Sequence, residues 1–111
     1  MKIKIKVTIN DKKCIYDALK IDNKIIYNDE DYSVIIDLNN NTLKRRNLDY
    51  DINLKFIKNE KTNGYLNINN HQFSLEIFTN ELTISDNLVL IDYKIITTLE
   101  SVLYKVEVIY E

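Results

Sequence analysis

Apolar and polar residues alternate in short runs along this chain, and Asn and Asp separate the runs. In the run KIKIKVTI, Ile3, Ile5, Val7 and Ile9 fall on one face and Lys2, Lys4, Lys6 and Thr8 on the other, because the side chains of a strand repeat every two residues. The same pattern predicts strands at Lys2 to Ile9, Lys13 to Ile21, Lys24 to Asn28, Tyr32 to Leu38, Thr42 to Arg46 and Asp51 to Lys58. It continues at Tyr65 to Ile68, Gln72 to Thr79, Leu82 to Ser85, Leu88 to Thr97 and Ser101 to Tyr110. No helix of ordinary length is predicted. The nearest candidate, Asp92 to Leu103, carries the β-branched Ile95, Ile96, Thr97, Thr98 and Val102, which favour a strand pair turning near Thr98 and Leu99.

Each hairpin can be tested by asking whether it keeps its apolar faces together, since a slip of one residue turns a whole face to solvent. A turn at Asn69-Asn70 sets Leu66 opposite Phe73, one at Asn80-Glu81 sets Ile77 opposite Ile84, and one at Asp86-Asn87 sets Ile84 opposite Val89 and Leu82 opposite Ile91. Across Thr98-Leu99, Ile95 meets Val102, Tyr93 meets Tyr104, Ile91 meets Val106 and Val89 meets Val108. A turn at Asn40-Asn41 sets Leu38 opposite Leu43, and one at Leu48-Asp49 sets Leu43 opposite Leu54. Two apolar walls result, the second formed by Val34, Ile36, Leu38, Leu43, Ile52, Leu54 and Phe56. The register breaks between Asn59 and Gly64: an Asn63-Gly64 turn would put Phe56 and Leu66 on different faces, so a bulge or longer loop is expected there. A meander of this kind closes into a barrel or leaves two long edges open to aggregation. Closure is the expectation: one all-β domain over residues 1–111, an antiparallel up-and-down barrel of about eight to ten strands. Such a barrel is filled by side chains or holds one small ligand.

Composition narrows the class. With 111 residues and 45% hydrophobic content, the chain suits a single core that buries about two-thirds of its unfolded surface. It has no Pro and one Gly, so Asn and Asp must make the turns, which they do by tolerating positive φ and bonding their own backbone. Charged residues make up 29%, are mixed in sign and sum to a formal −2, which disfavours nucleic acid and anionic membranes as partners. One cysteine, Cys14, makes no internal disulfide, and no apolar leader or long apolar span appears. A reduced, cytoplasmic location is therefore expected.

The order of segments resembles a known family. A short alternating first strand, the acidic turn Asp29-Glu30-Asp31 after a tyrosine-bearing third strand, and a hairpin ending in Leu43-Lys44-Arg45-Arg46 come first. The strand Ile52 to Phe56 and the succession LEIFTNELTI then LVLIDYKI follow. Together they look like the YwiB-like family of small bacterial proteins, a domain of unknown function with a calycin-like, or lipocalin-like, β-barrel. The more specific positions are the arginine after the fifth strand, Thr79 and Tyr93. The resemblance implies a fold and not a reaction.

Arg45 is the residue that interrupts the inner face: it shares that face with Leu43 and lies opposite Ile36 on one side and Ile52 on the other. A guanidinium aimed at a core needs a partner or a route to water. It either anchors the carboxylate or phosphate of a ligand, or reaches the barrel end and stacks on a tyrosine, as the arginine closing one end of calycin-like barrels implies by resemblance. Tyr93 and Tyr104 face each other inside, either as ligand contacts or as a plain core pair. His71, beside the Asn69-Asn70 turn, has no set of ligands at metal spacing. Cys14 reads as a half-buried strand residue, Lys44 and Arg46 as outward charges, and Asp29-Glu30-Asp31 as a solvated turn. No nucleophile elbow, phosphate loop or carboxylate pair is present in the sequence.

These observations point to a non-enzymatic binding module, without cofactor or metal, for a protein partner or a small anionic or apolar ligand at the barrel mouth. Its expected ligand residues are Arg45, Tyr93 and Tyr104. A homo-oligomeric structural module, paired through the edge of Lys2 to Ile9 or Ser101 to Tyr110, is the alternative; an enzyme ranks last, because nothing brings a nucleophile and a base together.

Overall fold

The computed structural model of the chain describes residues 1–86, 88–97 and 101–109. Its ten strands are β1 (Lys2–Ile9), β2 (Lys12–Ile21), β3 (Lys24–Asp29), β4 (Tyr32–Asp37), β5 (Thr42–Arg46), β6 (Tyr50–Lys55), β7 (Lys61–Ile68), β8 (His71–Ile84), β9 (Val89–Ile96) and β10 (Ser101–Ile109). Each pairs antiparallel with the next, and β1 pairs with β10, closing an all-β meander into a barrel. Closure is as expected, and the open edge that the homo-oligomeric alternative needed is taken up within the chain: Lys4 lies opposite Ile109 and Ile9 opposite Tyr104.

Alternation builds the wall as expected. Ile3, Ile5 and Val7 are buried, as are Ile25 and Tyr27, Val34 and Ile36, Val89, Ile91 and Tyr93, and Val106 and Val108. The pairs Leu66–Phe73, Leu82–Ile91, Ile84–Val89, Tyr93–Tyr104, Ile95–Val102 and Leu43–Leu54 all occur. Positive φ falls on Asn10, Asp22, Asn41, Asn59, Asn69 and Asn70, and otherwise, among the described residues, on Glu30. The turn expected at Thr98-Leu99 and half of that at Asp86-Asn87 lie outside the described residues.

Four expectations are corrected. Gln72 to Thr79 and Leu82 to Ser85 are one strand, β8, and Asn80-Glu81 is a bulge between Thr79 and Glu81 where the β8–β9 register shifts; Ile77 therefore faces Ile95 and not Ile84. A bulge absorbs one extra residue and bends a long strand without ending it. Second, Ile36 and not Leu38 lies opposite Leu43, because residues 38–41 form a longer turn. Asp37 holds that turn by accepting from the Asn39 and Asn40 amides at 3.0 and 3.2 Å. The shift is by two, so the faces survive it. Third, Arg45 consequently lies opposite Val34, with Ile52 on its other side as expected.

Fourth, Asn63 and Gly64 are not a turn but part of β7; the longer loop runs through residues 56–60. Glycine is needed here for space, not for φ: a Cβ at Gly64 would lie 2.7 Å from Leu54 Cδ2 and 2.8 Å from the Asn53 carbonyl oxygen of the adjoining strand. Backbone cannot yield as a side chain can. Gly64→Ala is expected to lower stability by about 1–3 kcal/mol, the usual cost of overpacking, in denaturant unfolding; a neutral result would mean that β6 and β7 separate freely.

Candidate functional site

Strand ends decide what gathers at each mouth of the barrel. β1, β3 and β5 end, and β2, β4 and β6 begin, at the mouth reached by Arg45. Inward-phased residues near these ends are Tyr16, Tyr27, Asp29, Tyr32, Arg45 and Tyr50, with Tyr93 and Tyr104 beneath. The structure thus brings Arg45, Tyr93 and Tyr104 together, as expected, and surrounds them with an acid and four further tyrosines.

Arg45 reaches outward along the wall. One amino nitrogen lies 3.0 Å from Asp29 Oδ2, and the guanidinium carbon sits 4.1 Å from the centre of the Tyr32 ring. The two charged side chains keep 25% and 14% of their exposure, so the pair is shielded without being dry. This arrangement satisfies a cation at the end of an apolar wall by charge, ring face and partial hydration together. The Asp29 carboxylate also accepts from the Tyr16 hydroxyl at 2.9 Å. Asp29 is thus not the solvated turn residue expected from Asp29-Glu30-Asp31; two positions past Tyr27, it keeps the inward phase.

The rings pack in three groups. Tyr16 stacks on Tyr27 at 5.6 Å, Tyr32 tilts on Tyr50 at 5.4 Å, and Tyr93 lies parallel to Tyr104 at 5.0 Å and tilted on Phe56 at 4.8 Å. What is left between them is about 30 Å³, lined by Tyr27, Asp29, Val34, Arg45, Tyr93 and Tyr104 among others. That volume suits about one water molecule. The buried Nε of Arg45 has no hydrogen-bond partner among the described residues. The lumen is filled by side chains.

Burial pushes the hydroxyls of Tyr16, Tyr27, Tyr93 and Tyr104 above the ordinary tyrosine range, the nearby Asp29 charge adding to it for Tyr16 and Tyr27. Tyr50 is pushed up to about 12 by burial and its bond with Tyr32. An acid whose folded pKa is raised holds its proton longer in the folded state, so the folded protein binds more protons than the unfolded one once pH passes about 10. Stability contributed by these hydroxyls is complete below that pH and is lost as pH rises through their raised folded values. Tyrosinate absorbance should therefore appear in one cooperative step with alkaline unfolding for these residues. Smooth ionisation of every tyrosine near pH 10 (about the free value) with the barrel intact would contradict the burial of the cluster.

The other candidates lie apart. His71 and Phe73 keep the phase of the wall but are exposed, because the β7–β8 hairpin runs past the last β8–β9 pair at Glu76–Ile96. Lys44 and Arg46 point outward and Cys14 is half-buried. Among the described residues, no group of three or more His, Cys, Asp or Glu side chains is placed to hold a metal ion. A separate groove of about 750 Å³ runs over β1, β2 and β3 where β2 and β3 part, lined by the outward-phased Lys2, Lys4, Ile15, Asp17, Leu19 and Ile26 and by the inward-phased Tyr16 and Tyr27 among others. Sequence reading missed it, since it depends on where two strands part.

The chain is similar to a solved structure, the crystal structure of the YwiB protein from Bacillus subtilis, with a TM-score of 0.47 and 12% identity, covering 99% of this chain and 89% of that one. No family model matches the chain, and no curated protein does.

Proposed function

We propose that this protein is a non-enzymatic, calycin-like binding module of the bacterial cytoplasm, related to the YwiB-like barrels, that works by binding a protein partner on its outer surface. One contrast carries the reading: the lumen has room for about 30 Å³, whereas the outer groove between β2 and β3 offers about 750 Å³. The groove sets two exposed apolar side chains of one strand, Ile15 at 60% and Leu19 at 45%, along one concave face. Peptide display against the immobilised barrel, in parallel with an Ile15→Lys, Leu19→Lys variant, tests it. Both positions face outward, so the variant keeps its core. Sequences enriched on the wild type and lost on the variant support the reading; enrichment on neither, or equally on both, removes it.

A second reading keeps Arg45, Tyr93 and Tyr104 as contacts for a small anionic ligand at the mouth, favoured by the partnerless Arg45 Nε beside the remaining space. Asp29 already holds the guanidinium and the space is water-sized, so only a very small anion fits without displacing Asp29. Halides and formate should then raise the melting temperature of the wild type and not of Arg45→Ala; equal shifts in both would end this role.

A further inference from the structure

β2 is paired along one side from Lys12–Ile9 to Leu19–Lys2, but along its other side only from Ala18–Tyr27 to Ile21–Lys24. The direction of its backbone groups is set at one end, where the Lys20 N–H donates to the Met1 carbonyl at 2.9 Å and the N-terminal ammonium donates to the Lys20 carbonyl at 3.2 Å. Lys20 therefore faces β1. In an antiparallel ladder successive residues face opposite neighbours, so Lys13, Ile15 and Asp17 turn their N–H and C=O groups toward β3; the last pair, Ala18–Tyr27, takes up the Asp17 carbonyl, and the ladder stops at the Asp17 N–H and the groups of Ile15 and Lys13. The strand order closes the barrel, so this is a short strand edge inside a closed sheet, as are the stretches past the last β6–β7 pair at Asn53–Tyr65 and the last β8–β9 pair at Glu76–Ile96; the edge on β2 is the one that meets the groove lined by Ile15 and Leu19. On its inner side the slit is bridged by the Tyr16–Asp29 hydrogen bond and the Tyr16–Tyr27 stack. It opens outward, onto the groove.

We propose that an extended, acidic segment of a partner protein binds here by adding itself as a strand to the β2 edge at Lys13, Ile15 and Asp17, an inference that rests on the protein-binding reading above. Strand addition takes its affinity from main-chain hydrogen bonds and its specificity from alternate side chains. The alternate outward side chains of β2 are Lys13, Ile15, Asp17 and Leu19, and Ile26 faces Leu19 across the last pairs. They would favour apolar residues beside Ile15 and Leu19. Charge sets the rest: Lys2, Lys4 and Lys6 line the outer face of β1, Lys13 ends the β2 edge, and Asp17 is the carboxylate set against them, 3.8 Å from Lys4. A strand carrying carboxylates complements that face, and one carrying lysines opposes it.

The test uses the whole chain and a capped synthetic peptide in which every second residue is Thr and the intervening ones are Glu, Val, Val and Glu. Backbone amide exchange is read at Lys13, Ile15 and Asp17. The peptide should slow exchange at these three amides by about tenfold or more at saturation, while a version with Lys in place of Glu should bind about tenfold more weakly, a difference that shrinks in salt. Ile15→Glu, an exposed position that leaves the barrel folded, should lose the protection, and so should a peptide N-methylated on its β2-facing amides. Peptide binding without slowed exchange at these amides overturns strand addition and leaves the protein-binding reading standing. No binding of this peptide, together with no display enrichment, overturns both. Protection of the same amides on raising protein concentration alone, with a dimer by light scattering, would make the occupant a second copy and overturn the inference.

Discussion

Phe56→Ala is expected to lower stability by roughly 3–5 kcal/mol, the range for deleting a large ring from a packed core. Phe56 is fully buried, leans on Tyr93 with ring centres 4.8 Å apart, and is fixed in place by its N–H donating to the Asn41 carbonyl at 2.8 Å. It sits just past the end of β6, at the start of the loop that carries the chain to β7. Neighbouring strands are held by their own ladders and cannot collapse fully into the space left behind. The resulting hole would be apolar and dry, so benzene should raise the melting temperature of the variant and not that of the wild type. Denaturant unfolding and a thermal shift measure both effects. A loss below about 1 kcal/mol with no benzene response would mean that Phe56 is not what fills the lumen.

Removing the acid at the mouth should cost next most. Asp29→Ala strips Arg45 of its carboxylate and Tyr16 of its acceptor at once, while the Arg45 Nε already lacks a partner. The expected loss is about 2–3 kcal/mol, between the near-zero value of exposed ion pairs and the larger one of fully buried pairs. Arg45→Met should cost less, because an unbranched apolar chain can lie on Tyr32 and leaves Asp29 bonded to Tyr16. In the double variant the two losses should not add, with a coupling of about 1–2 kcal/mol. Additive losses would show that Asp29 and Arg45 act separately and that Tyr32 alone holds the guanidinium.

The largest correction of the sequence reading concerns this same acid. Asp29, Glu30 and Asp31 read as one hydrophilic turn, yet only Glu30 takes the positive φ there while Asp29 remains in β3. The signal was present: Asp29 keeps step with Ile25 and Tyr27, just as Arg45 keeps step with Leu43. Extending the alternation by one position would have paired the acid with the base across the mouth. Tyr32 and Tyr50 carried the same signal, in phase with Val34 and Ile52.

Alternation by itself determined the all-β meander, the inward face of nearly every strand and the positions of Arg45, Tyr93 and Tyr104, because side-chain direction in a strand is a local property with a period of two. Turn length is also local, but Asn40-Asn41, Asn63-Gly64 and Asn80-Glu81 each had more than one permitted conformation. Contacts elsewhere chose among them: the Leu54 side chain and Asn53 carbonyl against Gly64, and the neighbouring β9 ladder that carries β8 through its bulge at Asn80. Closure was legible only as the arrangement that leaves no long edges; the water-sized space left in the lumen and the slit between β2 and β3 belong to the tertiary structure alone. They depend on how far each ladder runs before twist parts the strands, a sum over the whole barrel that no single segment encodes.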